Sequence, residues 1–237
     1  MNSEEIIREI KRRGYWDITI RPTVFNKARI QDTKGLLEMM HESSVELRGW
    51  DYPHIRTGGR DPHNIADGIE QYIYWENHIE IWRFFLSGQF VHLLALREDW
   101  LSSSQQSKVA VAQNQEIKET LGVTGTLFTI TEVFEFAKRL ATKGIFGDEV
   151  EFSIVLNKTE GRALLVDSPG RIPFLSPKVC FVPKWEYNKI YSTSELLQNY
   201  KDFAFETALG LFEIFNWSNP PTQVIREDQT KFLEGRY

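Results

Sequence analysis

Gly68–Leu96, GIEQYIYWENHIEIWRFFLSGQFVHLLAL, decides the fold. Its β-branched and aromatic residues fall into three runs parted by Glu76-Asn77 and Ser87-Gly88, which predicts a three-stranded meander at about 68–96. Links this short join antiparallel neighbours. If both pairs are the central residues of two-residue turns, the first turn opposes Trp75 to His78, Ile73 to Glu80 and Glu70 to Arg83. The second opposes Phe85 to Phe90, Arg83 to His92 and Glu80 to Ala95. Opposed side chains share a face. Glu70, Arg83 and His92 are therefore expected in one row. Glu80 is expected on the other face, among Ile73, Trp75, Trp82, Phe84, Val91, Leu93 and Ala95, with His78 close by. A slip of one residue would exchange the faces.

Outward from the meander, helix and strand patterns alternate. Residues 3–13 carry Ile6, Ile7 and Ile10 at helical spacing and stop at Gly14, and 15–20 alternate as a strand that ends at Pro22. A helix is expected at 33–43 and a strand from Val45 to Trp50. After the meander come a helix at about 124–142 and a hairpin of 149–156 with 162–166 around Lys158–Gly161. A strand region at 178–191, interrupted by Pro183, follows. Ser192 and Glu195 form a capping box that opens a helix of about 194–216. Ser-Asn-Pro-Pro at 218–221 breaks it, and a short terminal helix follows. This order predicts an α+β protein, with antiparallel sheet packed against helices. Residues 1–237 read as a single domain; the alternative is two interlocked subdomains, about 1–101 and 117–237, joined by the polar segment 102–116.

Composition narrows the function. The net charge of −5 offers no global basic field for nucleic acid. The only cysteine, Cys180, excludes an internal disulfide and a cysteine zinc cluster. The N-terminal stretch MNSEEIIREIKRRG lacks the apolar region of a signal peptide, and no run approaches the roughly 18 apolar residues of a membrane span. A cytoplasmic protein with no membrane association is expected. Aromatics make up 13% of the chain, enough to fill a core and also furnish a partner surface.

Candidate chemistry gathers in the meander and in the loop before it. Glu70, Arg83 and His92 read either as a satisfied structural cluster or as an anion-binding or catalytic trio with a tuned histidine. A carboxylate at Glu80, on an apolar face, either meets a cation from a packed helix or serves as an acid or base beside His78. The loop 50–64, WDYPHIRTGGRDPHN, holds two of the five histidines. Asp51, His54, Asp61, His63 and Glu80 are ligand types for a divalent metal, but their spacing matches no strong motif, so neither metal nor cofactor is expected. Arg48, Arg56 and Arg60 bracket Thr57-Gly58-Gly59. With Trp50, Tyr52 and His54 they form the candidate ligand-binding set, suited to a phosphate, a carboxylate or a stacked base.

The segments Arg48–Ile55, RGWDYPHI, and Ser87–His92, SGQFVH, resemble stretches in a family of uncharacterised bacterial and archaeal proteins of about this length. The resemblance covers most of the chain and implies a stand-alone protein; it brings no activity, catalytic residue or cofactor. The sequence therefore predicts a non-enzymatic binding or assembly protein that acts through a protein partner, self-association or a ligand. The alternatives are a metal-dependent hydrolase or nuclease using Glu80, His78 or the Glu70–Arg83–His92 row, and a nucleic-acid binder using the Arg/aromatic loop. Whether the loop, His92 and Glu80 converge on one place separates these readings.

Overall fold

The computed structural model of the chain describes residues 2–55, 61–100 and 119–236. Its frame is a seven-stranded sheet. Across it run β2 (His63–Ile65), β3 (Gly68–Trp75), β4 (His78–Phe85), β5 (Phe90–Ala95), β1 (Tyr15–Pro22), β7 (Glu149–Asn157) and β9 (Lys184–Ser192), all neighbours antiparallel. A separate parallel ladder joins β6 (Thr120–Gly122) to β8 (Ala163–Leu165). The helices are α1 (Ser3–Ile10), α2 (Thr33–Ser43), α3 (Val123–Thr142), α4 (Thr193–Glu213) and α5 (Thr222–Leu233). This is the expected α+β class, with the meander in place. β1 lies between β5 and β7, so strands from both sides of the polar segment share one sheet. Residues 102–116 themselves fall outside the described residues. No described helix is long and apolar enough to cross a membrane.

The two sheet faces are covered unequally. On one, Trp16, Ile18 and Ile20 of β1 join Trp82, Phe84, Phe90, Phe152 and Ile154 in the main core, together with α2 to α5. α3 is buried nearly all round, Glu132 and Glu135 included. Its N-cap, Gly122, has no capping side chain. Asp167 takes over that role, accepting the Thr124 and Gly125 N–H groups at 2.7 and 2.8 Å. On the other face α1 covers the meander, seating Ile6 and Ile10 on Ile79, Ile81, Leu93 and Ala95. Asn2 and Glu5 close a capping box at the start of α1.

The β3–β4 register is the expected one: Glu70 opposes Arg83, Ile73 opposes Glu80 and Trp75 opposes His78. The β4–β5 register is not. Trp82 opposes His92, Phe84 opposes Phe90 and Glu80 opposes Leu94, one residue off the expectation. The cause is the turn. Phe85 N–H donates to the Gln89 carbonyl and Gly88 N–H to the Phe85 carbonyl, both at 2.9 Å, so Leu86, Ser87 and Gly88 form a three-residue loop. Gly88 sits at φ +83°, the left-handed position that closes such loops and favours glycine. The extra residue turns His92 onto the Glu80 face.

Two further expectations are corrected. The stretch from Val45 forms no strand, only an isolated bridge between Val45 and Tyr52. The hairpin of 149–156 with 162–166 does not form: both edges of β7 are taken by β1 and β9, and β8 pairs in parallel with β6 instead. Ladders as long as those on β7 satisfy more backbone groups than a three-residue partner can. The 178–191 strand begins only after Pro183, at Lys184.

Candidate functional site

The middle of β4 places Glu80 fully inside the main-core face. A carboxylate there requires hydrogen-bond donors, and four reach it. His54 approaches Oε1 with its peptide N–H at 3.0 Å and Nδ1 at 3.1 Å. His78 Nε2 and His92 Nε2 approach Oε2 at 3.1 and 3.2 Å. Behind His92, the Tyr52 hydroxyl lies 3.2 Å from Nδ1. When His92 donates Nε2–H to the carboxylate, Nδ1 is left to accept the tyrosine proton, which gives a Tyr52–His92–Glu80 relay.

The loop that brings in His54 is pinned on several sides. Trp82 Nε1–H donates to the His54 carbonyl at 2.8 Å, the Gln71 amide donates to the Ile55 carbonyl at 3.0 Å, and Asp51 accepts the Ile55 N–H at 2.8 Å. Gln71, Trp82 and His92 share the face that carries Glu80. The slipped register and this loop together assemble the cluster.

Electrostatics distinguish the groups. Burial works to raise the Glu80 carboxyl, but the charge and hydrogen bond of His54, with the His78 and His92 bonds, hold it well below the usual carboxylate range. Burial works to lower His54, and Glu80 outweighs it, so that imidazole is raised. Burial pushes the Tyr52 hydroxyl well up. Nearby, Glu132 of α3 pairs with Arg48 at 2.9 Å; burial dominates over that cation and lifts the carboxyl to about 7.

At the rim stand two half-exposed indoles, Trp50 at 46% and Trp75 at 45%. Trp50 stacks on His54 at 6.3 Å between centroids, and Trp75 meets His54 edge-on at 5.3 Å. His54 and His78 are 4.4 Å apart, and Trp75 lies 5.8 Å from His78. His54, His78 and Glu80 each offer a metal-ligand atom, all within 4.8 Å of one another.

Of the candidates read from sequence, Glu80, His78, His92, His54 and Tyr52 come together, with Trp50 at the edge. Glu70 and Arg83 do pair, but on the α1 face, where Glu70 also takes the Ser3 hydroxyl and His63 Nε2, the latter at 3.1 Å. His92 is not in that row. Arg48 is turned inward onto Glu132 and Thr129, over the rings of Phe128 and Phe232, and belongs to the interior rather than to a ligand-facing loop. Arg56 and Arg60 lie outside the described residues. Of the metal-ligand types weighed from sequence, Asp51 and His63 are engaged elsewhere, Asp61 is not in the convergent group, and His78 takes their place. The Arg48–Glu132 pair spans 84 residues and had no local signal; Gly88 was a signal for the slipped register. At the opposite end of the meander an open groove of about 410 Å³ is lined by Phe25, Lys27, Asp67, Phe85, Ser87 and Gln89 and contains no comparable cluster.

Comparison of the chain with family models, curated proteins and solved structures finds no match.

Proposed function

We propose that this is a ligand-binding protein whose site is the Glu80 cluster, entered between Trp50 and Trp75. One observation carries the reading: two half-exposed indoles flank His54, one of the histidines that surround a fully buried carboxylate. Large apolar side chains kept at the surface beside a preorganised polar centre are the makings of a recognition site. The ligand it suits is a small molecule with a flat or apolar body, to lie against the indoles, and a polar end, to meet His78. Native mass spectrometry of the protein incubated with the small-molecule fraction of a cell extract tests this. A bound adduct is expected with the native chain and not with the Trp50→Ala/Trp75→Ala double variant. An adduct that persists in the folded double variant, or none with either, overturns the reading.

A metal-dependent hydrolase is the second reading, favoured by the convergence of His54, His78 and Glu80. It predicts that turnover of a hydrolysable substrate panel disappears in His78→Ala while the protein stays folded.

A further inference from the structure

We propose that His54 Nδ1, His78 Nε2 and the Glu80 carboxylate form a three-ligand site for a first-row divalent transition metal of the zinc or ferrous class. The inference rests on reading the Glu80 cluster as the working site and does not depend on which small molecule enters it.

The donor set is the first argument. Two imidazoles and one carboxylate are the protein ligands of open zinc sites and of facial iron sites, which leave coordination positions free for water or substrate. A single carboxylate with no carbonyl ligands suits magnesium or calcium poorly, because those ions prefer oxygen shells. The second argument is distance. A tetrahedral ion with bonds of about 2.0–2.1 Å sets its ligand atoms roughly 3.3 Å apart. His54 Nδ1 lies 3.1 Å from Glu80 Oε1 and His78 Nε2 lies 3.1 Å from Glu80 Oε2, so the imidazoles flank the two oxygens of one carboxylate, and one ligand atom from each residue lies within 4.8 Å of the others.

The third argument is support from behind. His92 binds Glu80 Oε2 and is itself engaged by Tyr52, while Trp82 and the Glu80 carboxylate hold the peptide groups of His54. Metal ligands characteristically have such outer partners, which fix ring and carboxylate orientation. The fourth is access. His54 and Glu80 are enclosed, whereas the His78 side chain is 22% exposed, so an ion enters past His78 and the indoles. In the metal-bound state the nitrogens that face Glu80 present lone pairs. Each neutral ring then carries its hydrogen on the other nitrogen, His54 Nε2 and His78 Nδ1.

The test uses the full chain, stripped by chelator and titrated with cobalt(II) as a visible probe, and with zinc by calorimetry. Ferrous ion without oxygen, magnesium and calcium complete the panel. Expected are stoichiometric cobalt binding with ligand-field bands of low coordination number, displacement by zinc, and no saturable binding of magnesium or calcium. His78→Ala and Glu80→Gln, each checked for fold by circular dichroism, abolish stoichiometric binding. His92→Gln, which removes the imidazole bonded to Glu80 Oε2, weakens it by about 10–100-fold, as loss of an outer partner does. His63→Ala leaves it unchanged. Absence of cobalt and zinc binding overturns the inference, and so does binding that survives in both His78→Ala and Glu80→Gln, which identifies adventitious surface sites. If metal fails to bind while the Trp50→Ala/Trp75→Ala variant still loses its small-molecule adduct, the metal alone is refuted; metal binding with no adduct refutes the small-molecule reading alone.

Discussion

Glu70 and Glu80 sit on adjacent strands of the meander, point to opposite faces and are both almost wholly buried, at 2% and 0% exposure. They are neutralised in different ways. Glu70 meets a permanent cation, Arg83, together with Ser3 and His63, and so fastens α1 and β2 to the sheet. Glu80 meets no arginine or lysine among the described residues. Its partners are three imidazoles and a peptide N–H. An arginine serves only as a donor, whereas an imidazole can donate a hydrogen or offer a lone pair. The pair teaches that this fold can bury a carboxylate on a permanent cation with two lesser partners, so three histidines and no such cation around Glu80 call for another explanation, and ligand chemistry supplies one.

Removing each carboxylate is the strongest way to break the comparison. Glu80→Ala strands buried donors of His54 and His92 and leaves a void, an expected loss of about 4 kcal/mol. Glu70→Ala is expected to cost less, about 2 kcal/mol, because the carboxylate is buried but its partners Arg83 and His63 reach water on release. Urea unfolding at neutral pH measures both; equal losses would erase the distinction.

Glu132 sharpens it from the other side, because it has an arginine and is still perturbed. Burial outweighs Arg48 and lifts its carboxyl from 4.5 to about 7, a difference worth about 3 kcal/mol. The folded chain holds this proton more tightly than the unfolded one. The contribution of Glu132 is therefore greatest below pH 4.5, declines as pH rises to about 7, and is level above that. Unfolding midpoints of Glu132→Gln against the native chain across this range should show that slope vanish. A slope of the opposite sign would mean that Arg48 wins.

Zinc at 100 times its dissociation constant should stabilise the native chain by about 2.7 kcal/mol. A thermal melt checks this: the shift is expected to survive His63→Ala on the Glu70 side and to disappear with His78→Ala on the Glu80 side. The smallest effect belongs to the rim. Trp50→Ala and Trp75→Ala should each leave stability within about 0.5 kcal/mol of the native chain, since both indoles are half in solvent. A larger loss would make them packing residues and weaken their role in recognition.

Much of this was legible in the chain. The alternation and turns of Gly68–Leu96 led to the meander, and the Glu76-Asn77 turn set β3 against β4 correctly, including Glu70 with Arg83 and Trp75 with His78. The capping box at Ser192–Glu195 and the helix patterns reflect local physics: a side chain satisfying a nearby backbone group, an apolar stripe repeating each turn. The second turn was less legible because β5 is apolar on both faces, so hydrophobic alternation did not choose between two registers that differ by one residue.

The residues themselves determined the α+β class, most element boundaries, and Glu80 and the 50–64 loop as places to look, because those properties follow from propensity and period along the chain. Only the tertiary structure decided that His54, His78 and His92 converge on one carboxylate, that Arg48 turns inward to Glu132, and that β7 abandons β8 for β1 and β9. Those outcomes depend on contacts between residues far apart in sequence, and on a single glycine at φ +83° that carried His92 from one face of the sheet to the other.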